Sequence, residues 1–279
     1  MIQQLSQPKI NLACGGVFVA GDGWINLDYG ASTAAVHRAD LLGRLPLPND
    51  HAALVYSSHF LEHIPRDEVV GFLTECRRIL APGGVLRLVL PDLENLCQAY
   101  LTHRENGEHE QANFVVLEMI DQCVRRESGG ELGRYYRALK SSPDDHAALI
   151  DFVRERTGEN ILSSPSRGPL KARKVVSSYL ARELQRRVAR IWTLAVLQLL
   201  PKAFRAQNVS LGDVGERHHW LWDFEQLCAE LEGVGFEAVR RCTASESRFD
   251  EFPFQSLDLD AEGRPRKGAE SMYIEAIKP

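Results

Sequence analysis

The stretch from 51 to 92 constrains this chain most, because two apolar runs enclose one strongly one-sided helix. HAALVYSS (51–58) has the length and content of a buried strand and ends in small polar residues. Pro65 suits a first helical turn, where its missing N–H is not needed. Val69, Phe72, Leu73, Cys76, Ile79 and Leu80 follow at three-and-four spacing, the stripe of a helix lying on a sheet. Ala81-Pro82-Gly83-Gly84 predicts the end of that helix, since proline cannot continue it and glycine supplies turn geometry. VLRLVLPD (85–92) predicts the next strand. Strand, helix and strand in this order imply a parallel sheet with helices on its faces.

KINLA (9–13), GWINLD (23–28) and the weaker VHRAD (36–40) extend the strand pattern towards the N-terminus. From about 96 to 209 the alternation is lost, and helices are expected between loop signals at 128–130, 141–144 and 163–169. Asp223 predicts the cap of a helix with Phe224, Leu227, Cys228 and Leu231 on one face, ending at Gly233-Val234-Gly235. FEAVRRCT (236–243) and SMYIEAIKP (271–279) predict two last strands. The expected organisation is one α/β domain over 1–95 and 211–279, interrupted by a helical insertion over 96–210.

With 279 residues, 44% hydrophobic and 25% charged, the chain can bury a full core. Its net charge of −5 disfavours nucleic acid as a partner of the whole protein. Six cysteines are scattered without a C-x-x-C pair, which predicts reduced thiols. MIQQLSQPKI lacks the pattern of a secretory signal, and the apolar run at 191–200 is too short to span a bilayer. A cytoplasmic protein is expected.

The strand ends carry the candidate chemistry. In an open parallel sheet, ligands bind beyond the carboxyl ends of the strands. Those ends here hold Asn11, Ala13, Cys14, Gly15 and Gly16, then Asp28, then Asp40, then the segment from Ser57 to His63. Small residues after the first strand let a ligand approach the backbone, and a carboxylate ending the second can accept from both hydroxyls of a ribose. INLACGG, GWINLD, ADLLGRLPLPNDHAALVYSSHFLEHIP and ECRRILAPGGVLRLVLPD resemble class I S-adenosylmethionine-dependent methyltransferases of the type 11 sort. The resemblance covers roughly 9–95 and returns weakly at 216–242. It implies a Rossmann-like fold with a mostly parallel seven-stranded sheet whose last strand is antiparallel. It implies S-adenosyl-L-methionine as cofactor, with Ala13, Cys14 and Gly15 lining the methionine part. Asp28 would hold the ribose, Asp40 and Leu41 would flank the adenine, and Ser57, Ser58 and His59 would close the site. Ala13 stands where the family usually has glycine. Only eight residues separate Gly15 from Trp24, so the first crossover is expected to be shortened to a loop.

Methyl transfer needs alignment, and a base where the acceptor is a hydroxyl. His59, His218 and His219 are the candidate catalytic bases, and Trp220 and Trp222 are expected to pack. No metal is expected. The alternative is a divalent ion on His59, Glu62 and His63, which share one face at i, i+3 and i+4. Ubiquinone-pathway and small-RNA O-methyltransferases are similar at this spacing. Between 171 and 206, nine basic residues face one acid, with apolar residues between them. That pattern fits an anionic membrane surface, a lipid-linked phosphate, a lid or a homodimer contact. The expected reaction is O-methylation of a hydroxyl on a sugar, glycan or lipid-linked envelope intermediate. Natural-product O- or N-methylation and a non-catalytic cofactor-binding scaffold are the alternatives.

Overall fold

The computed structural model describes residues 7–21, 23–30, 33–163 and 215–279, with scattered positions between 188 and 209. Among the described residues, seven strands form one sheet: β1 (Lys9–Leu12), β2 (Trp24–Asp28), β3 (Val36–Arg38), β4 (Ala52–Ser58), β5 (Leu80–Pro91), β6 (Glu237–Cys242) and β7 (Ser271–Ile277). Their order is β3-β2-β1-β4-β5-β7-β6. β1 to β5 pair in parallel, and β7 inserts antiparallel between β5 and β6. The expected mostly parallel sheet with an antiparallel last strand is therefore present.

Because the central strands are covered on both faces, they read as continuous apolar runs rather than alternating ones. Ile10, Leu12, Val55, Leu86 and Leu88 face one side, where α1 (Arg66–Ile79) sets Val69, Phe72, Leu73, Cys76 and Ile79 against them. Leu227 and Leu231 of α6 (Phe224–Gly233) complete that layer, and the Asp223 side chain caps α6 by accepting from the Gln226 N–H at 2.8 Å. Leu54, Tyr56, Val85 and Val89 face the other side. A C-terminal loop covers them with Ala244, Phe252, Leu257 and Leu259, Leu257 closing the short helix α7 (Phe254–Leu257).

The Pro-Gly-Gly segment departs from expectation. Helix α1 ends at Ile79, and β5 begins at Leu80 rather than Val85, opposite Ala52. The Gly83 N–H donates to the Lys278 carbonyl at 2.8 Å, and the Lys278 N–H to that of Gly84 at 3.0 Å. The turn residues are thus pinned as a bulged strand entry. A Cβ on Gly84 would lie 2.8 Å from the Ala81 carbonyl and 3.0 Å from that of Ala52, so this close approach requires glycine.

The first crossover is a loop, as the spacing predicts, with no helix among its described residues. Two buried asparagines hold it in place. Asn11 Nδ2 donates to the Val17 carbonyl at 3.1 Å, and Asn26 Nδ2 to those of Val19 and Ala35 at 2.9 and 3.2 Å. These side chains satisfy carbonyls that a helix would have satisfied internally.

The chain leaves the sheet at Asp92, whose side chain caps α2 (Leu93–Glu105) by accepting from the Glu94 N–H. Next come α3 (His109–Val124), α4 (Gly130–Ser141) and α5 (Ala147–Thr157), packed about a separate core of Phe114, Leu139, Leu149, Ile150 and Val153. It returns at Trp222, which bridges Asp92 in parallel, and the Leu93 N–H donates to the Trp222 carbonyl at 2.9 Å. The basic segment 171–206 lies mostly outside the described residues. Among the described residues, no helix is long and apolar enough to cross a membrane.

Candidate active site

Beyond the carboxyl ends of β1 and β4, a cavity of about 220 Å³ opens between Asn11, Ala13, Cys14, Gly15 and Gly16 on one side and Ser58 and His59 on another. The backbone here is strained. Ala13 has φ +55° and His59 φ +51°, two of four non-glycine residues with positive φ among the described residues. Such conformations cost of order 1–3 kcal/mol each and cluster where a site over-determines them. A Cβ built on Gly15 or Gly16 would meet nothing within 4 Å, so the turn faces open space.

Asp28 ends β2 and ties this turn to its own loop. Its two carboxylate oxygens accept from the Gly15 N–H at 2.9 Å and the Gly30 N–H at 2.8 Å. Each oxygen keeps a second lone pair, so both can accept again from a ribose. Cys14 is buried, and burial, with the Asp28 charge adding to it, pushes its thiol up to about 11.

The other sequence candidates divide. Asp40 is exposed and accepts from the Leu42 N–H at 3.1 Å, forming a turn. Leu41 is 5% exposed within the main core, and Ser57 is 3% exposed; neither lines the cavity. His218 is buried and His219 exposed, and neither lines it either. Trp222 is core, while Trp220 stacks under Arg66 and donates from Nε1 to Gln226 at 2.9 Å.

Val17, Tyr56, Leu257, Arg266 and Lys267 also line the cavity, and none of them stands out in the sequence. Arg266 and Lys267 arrive from a loop more than 200 residues downstream of the first turn, and no local pattern signals that return. The loop is held from beneath. Arg87 of β5, 0% exposed, donates to Asp258 at 2.8 Å, Glu275 at 2.9 Å and the Glu246 and Thr243 carbonyls at 2.8 and 3.0 Å. The Tyr56 hydroxyl donates to the other Asp258 oxygen at 2.6 Å. Burial, then the Asp258 charge, raises the Tyr56 phenol well above its ordinary value.

His59 stands between two protein groups. Nε2 lies 2.9 Å from the Ser271 hydroxyl, which also lies 3.1 Å from the Lys267 carbonyl. Nδ1 lies 3.3 Å from Glu62 Oε1. Burial, then the nearby Lys267 ammonium, lowers the His59 pKa against the pull of Glu62, so the ring is neutral at pH 7. Glu62 is 1% exposed on the 3-10 turn Leu61–His63. Burial alone would raise its carboxyl, but His59, His63 and His218 hold it down at about 2. His218 is itself pushed down to about 4, chiefly by burial. The shifts oppose each other, since charged imidazoles favour an ionised Glu62 while burial favours neutral ones.

A larger cavity, about 490 Å³, lies between α5 and the loop at 260–269. Arg264 pairs there with Asp260 at 3.0 Å and Arg154 with Glu262 at 3.7 Å, and none of Ala13, Cys14, Gly15, Asp28, Ser58 or His59 lines it. The smaller cavity is the better candidate.

Residues 26–88, from β2 through most of β5, match a protein family described as a methyltransferase domain. Similar solved structures include a SAM-dependent methyltransferase of Thermotoga maritima, 13% identical over 98% of this chain and 82% of that one, TM-score 0.38. One from Archaeoglobus fulgidus is 14% identical over 98% of this chain and 86% of that one, TM-score 0.39. One from Mesorhizobium loti is 22% identical over 33% of this chain and 50% of that one, TM-score 0.24. No protein of curated function matches the chain.

Proposed function

We propose, from the premise that this chain is a class I S-adenosylmethionine-dependent methyltransferase, that it methylates a hydroxyl of a sugar, glycan or lipid-linked intermediate. When bound, the cofactor supplies an electrophilic methyl group on a sulfonium. Ala13, Cys14 and Gly15 would line its methionine part, with Arg266 and Lys267 near enough to favour a carboxylate. Asp28 would accept from the ribose hydroxyls with the lone pairs that Gly15 and Gly30 leave free.

The observation that carries the hydroxyl reading is His59. Its neutral imidazole sits on the cavity wall at the end of β4, with Nε2 already against a hydroxyl oxygen, that of Ser271. With the ring proton on Nδ1, towards Glu62, Nε2 carries the lone pair, and an acceptor hydroxyl replacing Ser271 would meet a nitrogen able to take its proton as the methyl group is transferred. Glu62, next to Nδ1, holds the ring's orientation. The test is single-turnover transfer to a panel of sugar, polyprenol-linked and small phenolic acceptors, with wild type and His59→Gln. Loss of at least roughly 100-fold in His59→Gln, with cofactor affinity kept, supports the reading. An unchanged rate, or transfer only to amines, overturns it.

A membrane-peripheral, cytoplasmic setting rests on the basic segment 171–206. Val188, Trp192, Val196 and Leu199, from within that segment, are exposed by 57, 69, 40 and 84% at near-helical spacing. Flotation with liposomes of anionic or zwitterionic lipid tests it, and failure to float with either refutes membrane contact.

A further inference from the structure

We propose that Glu62, His63 and His218 form a binding site for one divalent transition-metal ion of the zinc class. Each offers one donor atom, and the three atoms lie within 4.8 Å of one another. The set differs from the one the sequence spacing offered. His59 reaches Glu62 from the cavity side, and His218, distant in sequence, takes its place.

The first indication is an unmet need. Glu62 is 1% exposed, and its oxygens make no well-formed hydrogen bond among the described residues, the nearest approach being His59 Nδ1 at 3.3 Å from Oε1. His218 Nδ1 is likewise buried without a partner. Buried polar groups left unpaired cost of order 1–3 kcal/mol each, and charged ones more. A cation held between Glu62 and His218 would answer that need.

The second indication is the tautomer of His63. Its Nδ1 lies 2.8 Å from the Arg217 carbonyl and can only donate to it, so Nε2 carries the lone pair. That lone-pair nitrogen is the one 3.9 Å from Glu62 Oε1. A backbone carbonyl fixing the far nitrogen is the usual outer support of a metal-bound histidine. The segment that brings His218 is also fastened to the turn. The His219 and Trp220 N–H groups lie 2.7 and 3.4 Å from the Glu62 carbonyl, and the His218 N–H donates to that of Gln122 at 3.0 Å.

Two imidazoles and one carboxylate suit zinc or its neighbours better than magnesium or calcium, which prefer all-oxygen shells. Bonds of about 2.0–2.2 Å would require the donors to close by roughly 1 Å, a side-chain adjustment. Three protein ligands leave a coordination position for water or an acceptor oxygen, and the site lies one residue contact behind His59 at the cleft.

The test is binding, independent of turnover. The full-length chain, stripped with EDTA, is titrated with Co²⁺ while visible d–d absorption is followed, then challenged with Zn²⁺. One equivalent of Co²⁺, displaced by Zn²⁺, is expected. Glu62→Gln, His63→Gln and His218→Ala should each weaken it by at least roughly 100-fold, while His37→Ala on exposed β3 leaves it unchanged. His63→Gln, the least buried ligand, carries the test if the other two fail to fold by circular dichroism. No Co²⁺ band or Zn²⁺ uptake in the wild type overturns the site. So does unchanged affinity in any folded ligand variant.

Discussion

Asp28→Ala tests the cofactor site most directly, because this carboxylate has two separable jobs. It holds the Gly15 and Gly30 N–H groups at 2.9 and 2.8 Å, and it would receive the ribose hydroxyls. The two peptide N–H groups lie on exposed loops, so water can replace the carboxylate there. Loss of global stability should therefore stay below about 1 kcal/mol. The ribose bonds would be different, since both would be made to a charge within the filled cleft. Hydrogen bonds to charged groups contribute about 1.5–3 kcal/mol each, and the half-exposed setting argues for the lower end. Two such bonds sum to about 3 kcal/mol, or roughly 150-fold in Kd. Asp28→Asn keeps one acceptor oxygen and should lose roughly tenfold. Isothermal titration with S-adenosylhomocysteine measures affinity without turnover, and a thermal melt separates binding from folding. Binding of Asp28→Ala within threefold of wild type, with an unchanged melt, would refute the ribose role. A collapsed melt would show instead that Asp28 is mainly structural.

Arg87→Met strands Asp258 and Glu275 in the core, and breaking such a buried pair costs about 3–5 kcal/mol. The melting temperature should fall by roughly 10 °C, and Asp258→Leu added to it should restore part of the loss; no recovery would argue against a stranded charge. Ala13→Gly removes an L-residue from φ +55°, a strain of about 1–2 kcal/mol partly offset by the entropy of glycine. A melt at or above that of wild type is expected, and a clear drop would show that Ala13 packs rather than strains. With its thiol pushed up to about 11, Cys14 is protonated at pH 8 and should alkylate slowly with iodoacetamide. Mass spectrometry of the Cys14 peptide checks this, with faster labelling expected in Asp28→Asn because one of the two causes is removed.

The strands were legible where burial on both faces makes them apolar throughout, as in HAALVYSS and VLRLVLPD. Their ends carried Ala13, Gly15 and His59, and the structure places all three around one cavity. Leu41 was named through the resemblance alone, and its side chain lies in the main core. The start of β5 was missed because proline and glycine stop a helix equally well whether a loop or a bulged strand follows. Arg266 and Lys267 could not be found by period or motif. Their position depends on Arg87 anchoring a loop through Asp258, a contact across 171 residues. His218 was singled out, but its meeting with Glu62 was not legible, since that contact is fixed by backbone bonds from the far side of the helical stretch.

The bridge between Asp92 and Trp222 has a consequence for how this chain can change. Departure and return occur at neighbouring points on one rim, joined by a direct hydrogen bond. To the sheet, everything between is a closed loop, and the entropy of closing such a loop grows only slowly with its length. Segments there can be lengthened, exchanged or recharged at little thermodynamic expense to the sheet. The same doorway sits beside Glu62 and the cleft, so variation admitted through it is delivered where an acceptor would be chosen. Apart from the return that carries His218, the fold thus separates the part that must be kept from the part free to diversify.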